Sequence, residues 1–127
     1  MPIDYERPFV ATLSKRFSAD QALIQVLAGP RQVGKTTGVR QLLARGTWPH
    51  HYANADDVLV SDRTWLLAHW QQALLLGDGA VLVVDEIQKV ANWPETIKAL
   101  WDAKPGRLRV LLLGSSALQI QAGATES

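Results

Sequence analysis

The segment Gly29-Pro30-Arg31-Gln32-Val33-Gly34-Lys35-Thr36 fills every fixed position of the pattern G-x-x-x-x-G-K-[ST]. No other stretch constrains the fold as strongly, because the pattern works in one setting only. Its glycines let the backbone curl until successive N–H groups converge on phosphate oxygens. A helix beginning directly behind adds its positive N-terminal end to the same anion. The flanks fit that setting. Leu23-Ile24-Gln25-Val26-Leu27-Ala28 reads as a short buried strand stopped by Gly29-Pro30. From Lys35 to about Ala44 the apolar residues Val39, Leu42 and Leu43 share one helix side, and Gly46 is the stop. Lys35 is the cation for β- and γ-phosphates, and Thr36 the hydroxyl for Mg²⁺.

The rest of the chain repeats this alternation. Residues 8–17 place Phe9, Val10, Leu13 and Phe17 at helical spacing. His51-Tyr52-Ala53-Asn54 reads as a second short strand. Ser61 or Asp62 caps a helix running to about Leu76, closed by Gly77-Asp78-Gly79. Residues 80–84 form a continuous valine-rich run of the kind found in parallel strands covered on both faces. Asn92 caps a further helix with Pro94 and Glu95 in its first turn, ending before Pro105-Gly106. Residues 109–113 are the last strand. The β-α-β-α order predicts an α/β fold, a parallel sheet between two helical layers, with ligands bound beyond the carboxyl ends of the strands.

Two further groups stand at such ends. Asp85-Glu86 follows the valine-rich strand. Asp85 is a candidate Mg²⁺ ligand, since Mg²⁺ keeps several waters and takes few protein carboxylates. Glu86 is a candidate to orient or deprotonate a water attacking the γ-phosphate. Ser115, in Gly114-Ser115-Ser116, is a candidate to touch the γ-phosphate or that water, although glycine and serine also dominate plain turns. Asn54 is either a polar residue facing Glu86 or a turn former. His50-His51 with Asp56-Asp57 matches no zinc spacing and reads as a loop of solvated polar groups. Trp48 and Trp93 are core residues or, alternatively, markers of a partner surface. Lys104, Arg107 and Arg109 read as a solvated basic face.

Composition narrows the function. The chain has 127 residues, enough for one domain, and no cysteine, which excludes a disulfide framework, a thiol nucleophile and a thiolate metal site. Thirteen basic against 12 acidic residues leave a net charge of +1, so nucleic acid is not indicated as a partner. No apolar run approaches the roughly 18 residues that span a bilayer, and the N-terminus lacks the apolar core of a signal peptide. The expectation is a cytoplasmic protein with no membrane partner.

Residues 29–37 (Thr37 included), 82–88 and 113–116 resemble the Walker A, Walker B and sensor 1 segments of an AAA+-type P-loop ATPase. The wording Gly-Pro-Arg-Gln-Val-Gly-Lys-Thr-Thr, with Asp85-Glu86-Ile87-Gln88-Lys89-Val90 and then Trp93-Pro94, is similar to one group of bacterial and archaeal ATP-binding proteins. The resemblance implies a three-layer α/β/α P-loop NTPase fold and ATP with Mg²⁺ as ligands. It implies phosphate contacts along residues 29–37, metal coordination by Thr36 and Asp85, water activation by Glu86 and γ-phosphate sensing by Ser115. Gln88 belongs to the family wording without an assigned role. The resemblance also implies the sheet order 5-1-4-3-2, a fifth strand, an arginine acting on the γ-phosphate and a further domain. The sequence stops at Ser127, so the expectation is a partial ATP-binding domain over residues 1–127, with residues 1–19 as N-terminal helix and lead-in. Its sheet would hold strands 1–4, with an edge open to a protein partner or to self-association. Two functions stay open at this point: Mg²⁺-dependent ATP hydrolysis, favoured by Asp85-Glu86, and a nucleotide-binding switch without turnover, favoured by the absent arginine. A small-molecule kinase would need an acceptor pocket and an arginine-rich lid, and neither is visible.

Overall fold

Every residue of Ala80–Asp85 and of Leu108–Gly114 is buried, as runs of valine and leucine demand when both faces of a strand are covered. The computed structural model describes residues 15–17, 23–28, 35–46, 48–57, 59, 61–103 and 107–114. Among these, strands β1 (Leu23–Ala28), β2 (His50–Asn54), β3 (Ala80–Asp85) and β4 (Leu108–Gly114) alternate with helices α1 (Lys35–Arg45), α2 (Arg63–Leu74) and α3 (Trp93–Ala103). All pairings are parallel. β1 pairs with β4 from Leu23 opposite Arg109 to Ala28 opposite Gly114. β3 pairs with β4 from Ala80 opposite Leu108 to Val84 opposite Leu112. β2 pairs with β3 from His50 opposite Val81 to Asn54 opposite Asp85. The order β1-β4-β3-β2 is that of strands 1–4 in the expected sheet.

Side chains alternate across the pleat and split the core in two. Ala80, Leu82, Val84, Leu108, Val110 and Leu112 pack with Leu66, Trp70 and Ala73 of α2 and with Trp93 and Ile97 of α3. Val81, Val83, Leu111 and Leu113 pack on the other face with Val39, Leu42 and Leu43 of α1 and with Phe17. Burying each valine, leucine, isoleucine or phenylalanine among them is worth about 1.5–3 kcal/mol. An exposed ion pair such as Lys98–Asp102 on α3 adds at most about 1 kcal/mol, so the two apolar layers decide the fold. Asp62 caps α2, its Oδ1 accepting the Trp65 N–H at 3.1 Å. α2 ends at Leu74, two residues before the expected limit, because the chain turns through Gly77 at φ 112°. Asn92 precedes α3 at φ 56°, and its carbonyl oxygen accepts from the Thr96 backbone N–H at 3.1 Å and the Thr96 hydroxyl at 3.0 Å. Of the expected N-terminal helix, residues 15–17 are described and are helical.

Two readings of polar residues are corrected. Arg109 is buried, not on a solvated face. Its Nε donates to the Phe17 carbonyl at 3.0 Å, its Nη1 donates to the Gly79 carbonyl, and its guanidinium lies 5.5 Å from the Trp48 ring centroid. Arg107 pairs with Asp78, and Lys104 lies outside the described residues. Trp93 is buried in the core, and Trp48, partly buried, packs against the core and meets Phe17 edge-on at 5.3 Å, in keeping with the core reading of both. His50 and His51 belong to β2, and His51 turns its ring onto α2, where its Nε2 lies 2.7 Å from Nδ1 of His69.

Two consequences are measurable. The Trp48 ring occupies the space where a Cβ at Gly46 would stand, so Gly46→Ala should destabilise the fold by about 1–3 kcal/mol in urea titrations, the usual cost of overpacking. Burial lowers the pKa of both imidazoles, with neighbouring His50 adding to the effect at His51 and His51 at His69. The unfolded chain therefore binds more protons than the folded one below about pH 6.5. Stability should be full above that pH and should fall as the solution is acidified toward the lowered folded values. Urea midpoints measured from pH 8 to pH 5 should fall less steeply in His69→Phe than in the parent.

Candidate functional site

Parallel strands end on one side of the sheet, so the carboxyl ends of β1, β2, β3 and β4 share one edge. β1 ends at Ala28 and α1 begins at Lys35. The candidate phosphate-binding residues 29–34, the side chains of Lys35 and Thr36, and Ser115 lie outside the described residues. Thr37 is exposed in the first turn of α1, which carries no acidic residue. Ala28 and Gly114 are register partners, so the residues that follow β1 and β4 leave from neighbouring positions. β3 delivers Asp85 to the same edge, one strand beyond β4.

The two acids of that edge are held by different means. Asp85 is 6% exposed. Its Oδ1 accepts the Glu86 backbone N–H at 2.9 Å, and its Oδ2 accepts the Tyr52 hydroxyl at 2.5 Å. Tyr52 comes from β2, two residues before Asn54, the register partner of Asp85. The period of two puts Tyr52 and Asp85 on the same face of the sheet, the face covered by α1. From α1, the Arg40 guanidinium sits 5.3 Å from the Tyr52 ring centroid, a cation–π contact. Tyr52 therefore joins the helix that begins at Lys35 to the carboxylate that ends β3.

Glu86 leaves β3 in the left-handed region, at φ 54° and ψ 44°. For a side chain other than glycine this conformation costs on the order of 1–3 kcal/mol and persists where its surroundings impose it. Here a 3₁₀ turn, Ile87–Lys89, follows at once, and the Lys89 N–H bonds the Glu86 carbonyl at 3.0 Å. The turn brings Gln88 back onto the acid, and its Nε2 donates to Glu86 Oε1 at 2.7 Å. Lys89 pairs with Asp56, in the 3₁₀ turn Ala55–Asp57 after β2, and the Lys89 carbonyl accepts the Ser61 hydroxyl at 3.2 Å. Asn54 accepts the Asp56 N–H on its own side-chain oxygen at 2.9 Å, which is the turn-forming role.

The carboxylates present fit a hard divalent cation that retains water and phosphate oxygens as ligands. No group of three metal-ligating side chains occurs among the described residues. No described helix is long and apolar enough to cross a membrane. The sequence reading missed Tyr52 and the partner of Gln88. The first depends on the register of β2 against β3, which no local pattern encodes. The second rests on the reversal of chain direction at Glu86.

Comparisons with known proteins bear on the family and the fold. The model of a family described as an AAA domain matches residues 21–127. The chain is similar in structure to the Thermotoga maritima RuvB Holliday junction branch migration motor, with a TM-score of 0.57 and 18% identity over 87% of this chain and 38% of that one. A mutant of the same RuvB gives a TM-score of 0.55 and 24% identity over 87% of this chain and 39% of that one. The P-loop NTPase domain of the sigma-54 transport activator from E. coli gives a TM-score of 0.51 and 16% identity over 91% of each chain. At these identities the likeness shows the fold, that of a P-loop NTPase. The chain spans about two-fifths of the length of the RuvB structures. No curated protein matches it significantly.

Tyr52→Phe keeps the ring under Arg40 and removes one donor from a buried carboxylate. Hydrogen bonds to charged groups are worth about 1.5–3 kcal/mol, so the variant should lose stability in that range by urea denaturation at pH 7. A midpoint equal to the parent's would show that the hydroxyl holds nothing.

Proposed function

The chain belongs to the AAA domain family, and on that premise we propose that it binds ATP with Mg²⁺ and hydrolyses it. The observation that carries this reading is the Asp85-Glu86 pair, delivered by β3 to the sheet edge from which β1 leads toward Lys35. In the proposal, backbone N–H groups of Gly29, Arg31, Gln32, Val33 and Gly34 cradle the phosphates, Pro30 shapes the loop between them without donating, Thr37 stands beside them, and Lys35 balances the β/γ charge. Thr36 and Asp85 would hold Mg²⁺, which supplies charge neutralisation at the phosphates when bound.

Asp85 suits that role because Tyr52 and the Glu86 N–H fix its carboxylate before any ligand arrives, and prior fixing lowers the cost of binding. Glu86 takes a proton from water as the water oxygen bonds the γ-phosphorus. The bond from that phosphorus to the bridging oxygen breaks, and ADP leaves with its electron pair. Ser115 contacts the γ-phosphate.

Calorimetric titration with a slowly hydrolysed ATP analogue in Mg²⁺ tests the binding half. Lys35→Ala should weaken affinity by about tenfold or more, since a charge-assisted contact is worth about 1.5–3 kcal/mol. Asp85→Asn should weaken the Mg²⁺-dependent part. Equal affinities for parent and Lys35→Ala would overturn the phosphate-binding assignment. Phosphate release in single turnover tests the other half, with Glu86→Gln expected about 10²–10⁴-fold slower at unchanged affinity.

A further inference from the structure

Gln88 has no part in phosphate or metal binding in the reading above, yet its side chain ends on the acid assigned to water activation. We infer that Gln88 is a positioning residue, which sets the Glu86 carboxylate in the orientation that takes the proton from water. The inference rests on the hydrolytic reading and adds to it a residue that acts through Glu86.

Glu86 sits at φ 54°, where its side chain leaves the strand in a direction that no ordinary strand residue takes. A half-buried glutamate on such a turn still has rotamers to choose among, at a cost in entropy whenever one is required. Gln88 restricts that choice through a hydrogen bond, Nε2 to Oε1 at 2.7 Å. A bond between two flexible side chains positions nothing unless one end is fixed, and here the Gln88 end is fixed. Ile87 before it and Val90 two residues after it are buried in the core. Lys89 next to it is tied through its side chain to Asp56 and through its carbonyl to Ser61. The turn that carries Gln88 is thus fastened to the core below and to the segment after β2 beside it. Gln88 supplies the donor from an anchored backbone, and Glu86 is the part made to conform.

Length and chemistry both matter. The amide donates without charge, so it orients the carboxylate and leaves the proton to be taken from water. A lysine in its place would bring a cation to the same oxygen and weaken its pull on that proton. A methionine has similar length and no donor.

Two measurements decide the matter in the full chain. The first needs no turnover. In isotope-labelled protein the side-chain amide protons of Gln88, assigned by their loss in Gln88→Met, should exchange with solvent more slowly than those of exposed glutamines. In Glu86→Ala they should move to the ordinary glutamine position. Signals unchanged by Glu86→Ala would overturn the contact and the proposal with it. The second measurement is single-turnover phosphate release beside calorimetric affinity for the ATP analogue. Gln88→Met should slow release by about 10–100-fold, the usual effect of a misplaced reacting group, with affinity within about threefold of the parent. In the Glu86→Gln background, Gln88→Met should change nothing further, because the group it acts through is already disabled. A purely structural role would lower affinity or slow both backgrounds alike. A slow Glu86→Gln beside a Gln88→Met at the parental rate overturns this inference and leaves the hydrolytic reading standing. Glu86→Gln at the parental rate, or a parent that binds nucleotide without releasing phosphate, overturns the hydrolytic reading and the role of Gln88 together.

Discussion

The parallel pairing of β4 between β1 and β3 is the constraint on which the rest of this structure depends. Parallel neighbours cannot be joined by a tight turn, so each connection must run back along the sheet and covers a face as it does so. The coverage is what the sequences of β3 and β4 require, since alternate residues of each point into different apolar layers. The same pairing aligns the carboxyl ends of all four strands. Chemistry gathers at one edge because the hydrophobic demands of the two central strands leave no other arrangement.

Asp85 and Glu86 are adjacent in sequence and dependent on different parts of the molecule. Asp85 belongs to the sheet: it is buried, and its partners are a neighbouring strand's tyrosine and a backbone N–H. Glu86 belongs to the turn: its backbone has already left strand geometry, and its partner is two residues further along the same turn. A disturbance of α1 that shifts Arg40 and Tyr52 reaches the first acid. A disturbance of the segment around Asp56 and Ser61 reaches the second. The division allows the residue assigned to metal binding and the residue assigned to water to respond to different neighbours.

Much of this was legible in the sequence, and the reasons are physical. The unbroken apolar runs of β3 and β4, the aspartate before α2 and the glycines after it are local signals, and the elements follow them to within two residues. The position of the two acids at the end of β3 was legible too, because a carboxylate after an apolar strand stands out from its surroundings. Arg109 was misread because a lone arginine in an apolar run carries no mark of where its guanidinium ends; here carbonyls and aromatic rings distant in sequence receive it. Tyr52 and the His51–His69 pair were missed for the same reason. Each contact is made across elements, and its existence depends on register and crossover geometry that no short window contains.

The bond between Arg109 and the Phe17 carbonyl spans 92 positions of chain. Closing so long a loop costs entropy before any contact rewards it, with each doubling of length adding about 0.6 kcal/mol. The Phe17 ring, buried against β4 and α1, has a surface to dock on only once β3 and β4 have paired. The β3–β4 pairing closes a much shorter loop than the contact at Phe17, which caps the amino-terminal side of the sheet like a cork. A ribosome making this chain would present the cork long before β4, its seat, emerges.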